Sequence, residues 1–193
     1  MIIRKIFKFE NTHIVRNCST KKCRSSIHGH SYKVEVLFSS NGFDNAQMIY
    51  DFGLMKGDMK DLIEVFDHSI TLWKYDDKEY IDAMKKFSDR WVELPVSPTA
   101  EQFARVIFIM VDMLLKSTVF VNNEARVELD SIVVHETDSS YAKADRDDAY
   151  NPIFGIINPK EIIFSDAICE DFNNANLWQD ILSGKKFTNK NIV

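Results

Sequence analysis

Three histidines, His13, His28 and His30, are the residues of this chain best suited to hold a metal. His28 and His30 stand two apart and lead into Lys33-Val34-Glu35-Val36-Leu37-Phe38, which alternates charged and apolar residues with the period of a half-buried strand. A strand beginning near His28 puts His28, His30, Tyr32, Val34 and Val36 on one face. Gly29 lets another group come close to the backbone between the two imidazoles. His13 ends a second strand-like run over residues 2–10 and carries the parity of Phe9, so it points inward. Three imidazoles converging from two strands leave one position of a tetrahedral zinc open, as catalytic zinc requires. A bare H-x-H is weak by itself, and a lone histidine is more often a hydrogen-bonded core residue. The neighbours of the pair therefore matter.

Between the two strands lies a polar, basic loop, residues 16–26, with Arg16, Lys21, Lys22 and Arg24 and two of the three cysteines, Cys18 and Cys23. The cations are dense for a net-acidic chain; they either face solvent or form an anion site beside the metal, suited to a phosphorylated substrate. Cys18 and Cys23 are not a C-x-x-C pair, so a redox motif is not expected, and the third thiol, Cys169, makes the count odd. Asp67 adjoins His68, a pairing able to transfer protons. Glu136 stands at the end of another strand-like run, residues 126–134.

The elements needed to position these groups follow from periodicity. Residues 47–51 suit a short strand, after which Asp51 caps a helix whose apolar face is Met55, Met59, Leu62, Ile63 and Phe66. Residues 74–90 are highly charged and suit an excursion with one helix over 79–87, and 91–94 suit a short strand. Thr99 and Gln102 make a capping box for a helix reaching about Lys116 that is apolar on most sides. Such a helix needs cover from an oligomer or from added segments. In the tail, 161–164 suit a strand and 177–182 a helix.

The 193 residues fit one domain with additions, and 45% hydrophobic with 27% charged residues is ordinary for a globular protein. A net charge of −5 argues against a general nucleic-acid binder. No stretch has the length of a membrane span, and Met1-Ile2-Ile3-Arg4-Lys5 puts charges where a signal peptide needs its apolar core, so the expected compartment is the cytoplasm.

The ordered set of features resembles the 6-pyruvoyltetrahydropterin synthase / 6-carboxytetrahydropterin synthase family. It comprises the strand ending in His13, the cysteine loop, His28-Gly29-His30-Ser31-Tyr32, Asp67-His68, Pro98-Thr99-Ala100-Glu101 and Glu136-Thr137. The resemblance covers about residues 2–142 and implies an α+β tunnelling fold. That fold is a ββααββ unit with an antiparallel sheet and helices on one face, closing with other copies into a trimeric or hexameric barrel with active sites between subunits. It makes His13, His28 and His30 zinc ligands, Cys23 the catalytic thiol with Asp67 and His68 as proton-transfer partners, and Glu136 the pterin anchor. Thr99, Glu101, Arg16, Lys22 and Arg24 would join in substrate binding, with Lys143 or Arg146 further candidates for the phosphates.

The implied substrate is 7,8-dihydroneopterin triphosphate. The carboxy branch, serving queuosine synthesis, is favoured over the pyruvoyl branch of biopterin synthesis. The chain departs from the family in three places. Cys23 to His28 reads C-x-x-x-x-H, between the C-x-x-x-H of bacterial carboxy enzymes and the C-x-x-x-x-x-H of animal pyruvoyl enzymes, with Cys18 a second candidate thiol. Asp67-His68-Ser69-Ile70-Thr71-Leu72 replaces the usual D-H-x-x-L-N, and the segments 74–90 and from about 150 are additional. Two other classes are a zinc hydrolase with Glu101 or Glu136 as base, which no H-E-x-x-H helix supports, and a non-catalytic pterin- or zinc-binding member.

Overall fold

In the computed structural model, which describes residues 1–188, the long runs flanking the basic loop become the two central strands, β1 (Ile2–His13) and β2 (His28–Ser40). They pair antiparallel along their whole length, with Phe9 opposite Tyr32, Asn11 opposite His30 and His13 opposite His28. The loop between them carries one short helix, α1 (Lys21–Ser25). Next come α2 (Asp58–Glu64), β3 (Ser69–Trp73), α3 (Lys78–Phe87), β4 (Trp91–Leu94) and the long helix α4 (Ala100–Ser117). The chain continues through β5 (Thr118–Val119), β6 (Val127–Thr137), β7 (Ser140–Asp145), α5 (Arg146–Tyr150), β8 (Ile163–Phe164), α6 (Asp166–Glu170), α7 (Leu177–Leu182) and β9 (Phe187–Thr188).

One seven-stranded sheet has the order β7-β6-β2-β1-β3-β4-β8, and β5 and β9 form a separate pair. The β7-β6-β2-β1 part is antiparallel throughout, as expected. The remainder is not: β3 runs parallel to β1 at Asn11 and Thr12, and β4 runs parallel to β3. The charged segment 74–90 accounts for the parallel pairing of β3 with β4, since parallel neighbours need a crossover and α3 supplies it. Ile70 and Leu72 of β3 pack with Ile81 of α3 in a second small core, whereas Val92 and Leu94 of β4 join the main one. Thus α3 covers the sheet face opposite α2 and α4, and helices lie on both faces there rather than on one.

The expected strand over 47–51 does not form. Asp44 draws this stretch into turns by accepting from the amides of Ala46 and Met48, and Gln47 takes a positive φ of 63°. Asp51 caps only a following turn, accepting from Gly53 N–H at 2.6 Å, and α2 begins at Asp58. Met55, Met59, Leu62, Ile63 and Phe66 are all buried, as their spacing requires. At the start of α4, Thr99 accepts from the Gln102 amide, but the Gln102 side chain turns away to donate to Phe154 O, so the box is half made.

The C-terminal additions bury the rest of α4. Leu177, Trp178 and Ile181 of α7 enter the main core, and Arg105, 4% exposed, ties down the chain after α5. Its guanidinium donates to the carbonyls of Asp148, Ala149, Asn151, Phe154 and Gly155. Cover for α4 therefore comes from within the chain. Asp112, also on α4, accepts from Arg146 at 2.6 Å and from the Tyr150 hydroxyl at 2.6 Å, with Lys116 Nζ 2.8 Å away.

Replacing Arg105 by Met should destabilise the fold by about 3 kcal/mol, because five carbonyls lose the charged, nearly buried donor that ties them together. Urea unfolding measures this; a loss under about 1 kcal/mol would show that water replaces the guanidinium. Although burial opposes its charge, the Asp112 carboxyl is held below the usual carboxylate range by hydrogen bonds from Arg146, Lys116 and Tyr150. Its stabilising contribution is present above about pH 4 and is lost as the pH falls further through the lowered folded value. Asp112→Asn should then cost about 3 kcal/mol at neutral pH and clearly less near pH 3. An equal deficit at both values would contradict the assignment.

Candidate metal centre and adjoining cavity

The antiparallel register brings the three histidines together. His13 and His28 are directly opposite, and His30, two residues along β2, lies on the same face. Their ring nitrogens supply one donor atom each, all within 4.8 Å of one another. His13 is fully buried beneath Phe103 of α4, with which it stacks at 6.3 Å between ring centres.

Two carbonyls set the tautomers. His13 Nδ1 lies 2.6 Å from Pro98 O, and His28 Nδ1 lies 3.0 Å from Ser26 O. A carbonyl only accepts, so both Nδ1 atoms carry the proton and both Nε2 atoms present lone pairs. These two Nε2 atoms are 3.2 Å apart. Neutral imidazoles so placed repel unless they share a cation, and carbonyl-fixed histidine is the usual outer support of a metal ligand. Burial pushes the His13 pKa down to about 4, with His28 and His30 adding to the effect against the Pro98 hydrogen bond, so His13 is neutral and ready to ligate at neutral pH. The donor set fits a zinc ion with an open fourth position.

Glu136 reaches the same place from β6. Its Oε1 accepts from the Tyr32 hydroxyl at 3.2 Å and stands 3.9 Å from His13 Nε2 and 3.8 Å from His30 Nε2. It sits where the β6–β7 register slips between His135 and Thr137, and such irregularities re-aim a side chain. Burial and the nearby Glu136 carboxylate raise the Tyr32 pKa far above its ordinary value, so the hydroxyl keeps its proton and donates it.

A cavity of about 310 Å³ adjoins the centre and is lined by Cys18, Cys23, His28, His30, Thr99, Glu101, Glu136 and Tyr141, among others. Both loop thiols and three acceptors picked out from sequence therefore meet the histidines. Other expected members lie elsewhere. The Arg16 guanidinium is bonded to Asp76 at 3.0 and 2.9 Å, and Arg24 donates to Ser19 O at 2.7 Å, so neither is a free cation over the cavity. Lys22 is exposed on α1, Arg146 is engaged by Asp112, and Lys143 stands on β7.

Asp67 and His68 form a pair at 2.9 Å, with Asp67 also accepting from Glu10 N–H. Both line a groove with Asp61, Glu64 and Arg90, and His68 alone lines a second groove with Glu10, Thr12, His30 and Ser31. Within one chain they do not reach the cavity that holds the thiols. Sequence reasoning missed the carbonyls of Pro98 and Ser26, which carry no side-chain signal, and Tyr141 at the cavity wall. It had Tyr32 on the correct face, and the pairing of Tyr32 with Glu136 follows by extending the Val34–Val134 register.

Three imidazoles that could hold a metal, carried by the antiparallel part of a sheet backed by helices and beside a cavity lined by thiols and carboxylates, define a candidate metal-binding protein of the tunnelling fold. The profile of the family described as 6-pyruvoyl tetrahydropterin synthase matches residues 2–147, and the chain belongs to that family. It is 37% identical over 191 residues to a 6-carboxy-5,6,7,8-tetrahydropterin synthase of Helicobacter pylori strain 26695, covering 98% of this chain and 90% of the relative. It is 35% identical over 187 residues to that of strain J99, covering 96% and 94%. A relative of the same name from Aquifex aeolicus is 30% identical over 159 residues, covering 73% of this chain and 95% of its own. An uncharacterised protein of Wolinella succinogenes has the same fold, with TM-score 0.55 and 20% identity over 76% of this chain and 98% of that one. So does the Caenorhabditis elegans 6-pyruvoyl tetrahydropterin synthase, with TM-score 0.52 and 18% identity over 75% and 94%.

The wild-type chain should purify with about one zinc, and His28→Ala or His30→Ala should lose most of it while circular dichroism stays unchanged. Elemental analysis decides; full zinc in both variants would remove the ligand assignment.

Proposed function

We propose that the chain is a zinc-dependent 6-carboxy-5,6,7,8-tetrahydropterin synthase. It would convert 7,8-dihydroneopterin triphosphate to 6-carboxytetrahydropterin, acetaldehyde and triphosphate, in the route to 7-deazaguanine and queuosine. The observation that carries this reading is a three-imidazole cluster, two of whose members, His28 and His30, line one cavity with two thiols and Glu136, in a chain whose near full-length relatives bear that name. No helix among the described residues is long and apolar enough to cross a membrane, which accords with a small-molecule enzyme of the cytoplasm.

Each residue has a chemical task. The pterin carries a ring N–H beside an amino group, and one carboxylate accepts both in a fork. Glu136 is that anchor, with Thr99 and Glu101 on the neighbouring wall. His13, His28 and His30 hold the zinc, their orientation set by the carbonyls described above. When bound, the ion polarises side-chain oxygens of the substrate and makes adjacent protons easier to remove. Cys23 takes such a proton as its thiolate. Asp67 orients His68 through their 2.9 Å bond, so that the pair passes protons on.

Because Asp67 and His68 lie away from their own chain's thiols, they would serve the cavity of a neighbouring copy. Two open strand edges support that assembly. On its side away from β2, β1 pairs only at Asn11 and Thr12, and β7 closes the other end of the sheet. Edges of this kind accept a further strand, so copies joined β1 to β7 would close into a trimeric barrel, doubled to a hexamer.

Incubation of the zinc-loaded protein with dihydroneopterin triphosphate, followed by mass spectrometry, tests the reading. The expected products are 6-carboxytetrahydropterin and acetaldehyde. 6-Pyruvoyltetrahydropterin would assign the other branch, and no turnover by a zinc-replete oligomer would favour a binding role. Cys23→Ala should abolish turnover with zinc retained, and Cys18→Ala should stay active. The reverse result would transfer the role to Cys18, and two active variants would exclude thiol catalysis.

A further inference from the structure

The cysteine loop is held by few contacts of its own. None of the α1 residues is buried, and Thr20, at the helix start, makes no capping hydrogen bond through its side chain. Yet this loop has to hold two thiols against the histidines. Its internal bonds join one part of the loop to another: Val15 N–H donates to Cys23 O at 3.1 Å, and Arg24 donates to Ser19 O at 2.7 Å. Arg16 reaches outward. Its Nε donates to both oxygens of Asp76, at 3.0 and 2.9 Å, its guanidinium lies 5.0 Å from the centre of the Tyr80 ring, and its Nη1 donates to Arg24 O at 3.3 Å. The Asp76 side chain is only 7% exposed, and its Oδ1 also accepts from Asp77 N–H at 2.7 Å, which fixes the carboxylate.

Asp76 and Tyr80 belong to the segment between β3 and β4. We infer that this segment is a clamp: through Arg16 it sets the position of the loop thiols at the metal centre, and Asp76 is a positioning residue for the reaction. Arg16 is thereby accounted for as a clasp instead of a phosphate ligand. An exposed ion pair would contribute little, but a side chain held by a fixed, nearly buried carboxylate, an aromatic face and the loop's own carbonyl has one available place. The inference rests on the proposed function for its effect on turnover; the position of the thiols is measurable without it.

The test is residue-resolved alkylation of the zinc-loaded protein by iodoacetamide, read by mass spectrometry, with Cys169 as the internal control. In Asp76→Ala and in Arg16→Met, Cys23 and Cys18 should react at least about fivefold faster than in the wild type, because the loop opens more often, while Cys169 and zinc content stay unchanged. The double variant should match the singles, since each removes the same interaction. In turnover, Asp76→Ala should lower kcat at least about tenfold with KM nearly unchanged, the signature of a displaced reacting group. Loop thiols that alkylate at the wild-type rate in both single variants, or single effects that add in full, would overturn the clamp. If the carboxylate variant fails to fold, so that Cys169 reacts too, Tyr80→Leu takes its place: it leaves the ion pair, and about a twofold acceleration is expected, with none counting against the clamp. Faster loop-thiol alkylation in the variants, with a wild-type chain that turns over no pterin, would keep the clamp and remove the proposed reaction.

Discussion

The hydrogen bond from His13 Nδ1 to Pro98 O, buried and 2.6 Å long, is the constraint on which the functional part of the structure depends. It joins the end of β1 to the residue just before the N-cap of α4, so the sheet and the long helix meet at the imidazole. It fixes the tautomer, and with it the direction of the Nε2 lone pair. The register of β1 against β2 then does the rest, placing His28 opposite and His30 on the same face. An unshared pair of lone pairs 3.2 Å apart is unfavourable, and a shared metal would turn that repulsion into binding.

Around this centre the chain adds further layers. β3 and β4 extend the sheet parallel to β1, and the segment between them supplies α3, which covers the outer face there. The C-terminal segment adds β8 at the far edge and lays α7 over α4, while Arg105 secures the intervening chain by its carbonyls. The alignments to the Helicobacter pylori relatives run through 96–98% of the chain. The C-terminal segment thus completes the burial of α4 in the single chain, and the segment between β3 and β4 places Asp76 against the cysteine loop.

Much of the site was legible because it is written in strand parity. Period two alone put His13, His28, His30 and Tyr32 on one inward face, and Glu136 follows from the same face of β6. What was illegible lies in groups without a side-chain signature. The carbonyls of Pro98 and Ser26 are invisible to residue type, and the short Ser69–Trp73 strand is held by long-range pairing that local pattern does not report. Residues 47–51 misled because Ile49 and Tyr50 are buried without a strand, in a stretch the Asp44 carboxylate draws into turns. Arg16 looked like one cation of an anion site; its partner, Asp76, is sixty residues away in sequence.

The central claim is that the three imidazoles form a single zinc centre with their tautomers set by carbonyls. Anomalous diffraction at the zinc edge, from crystals of the metal-loaded protein, addresses it most directly. The expected result is one peak per chain, about 2.0–2.1 Å from Nε2 of His13, Nε2 of His28 and a ring nitrogen of His30. A peak bound through Nδ1 of His13 or His28, or a zinc lying elsewhere on the chain, would contradict it.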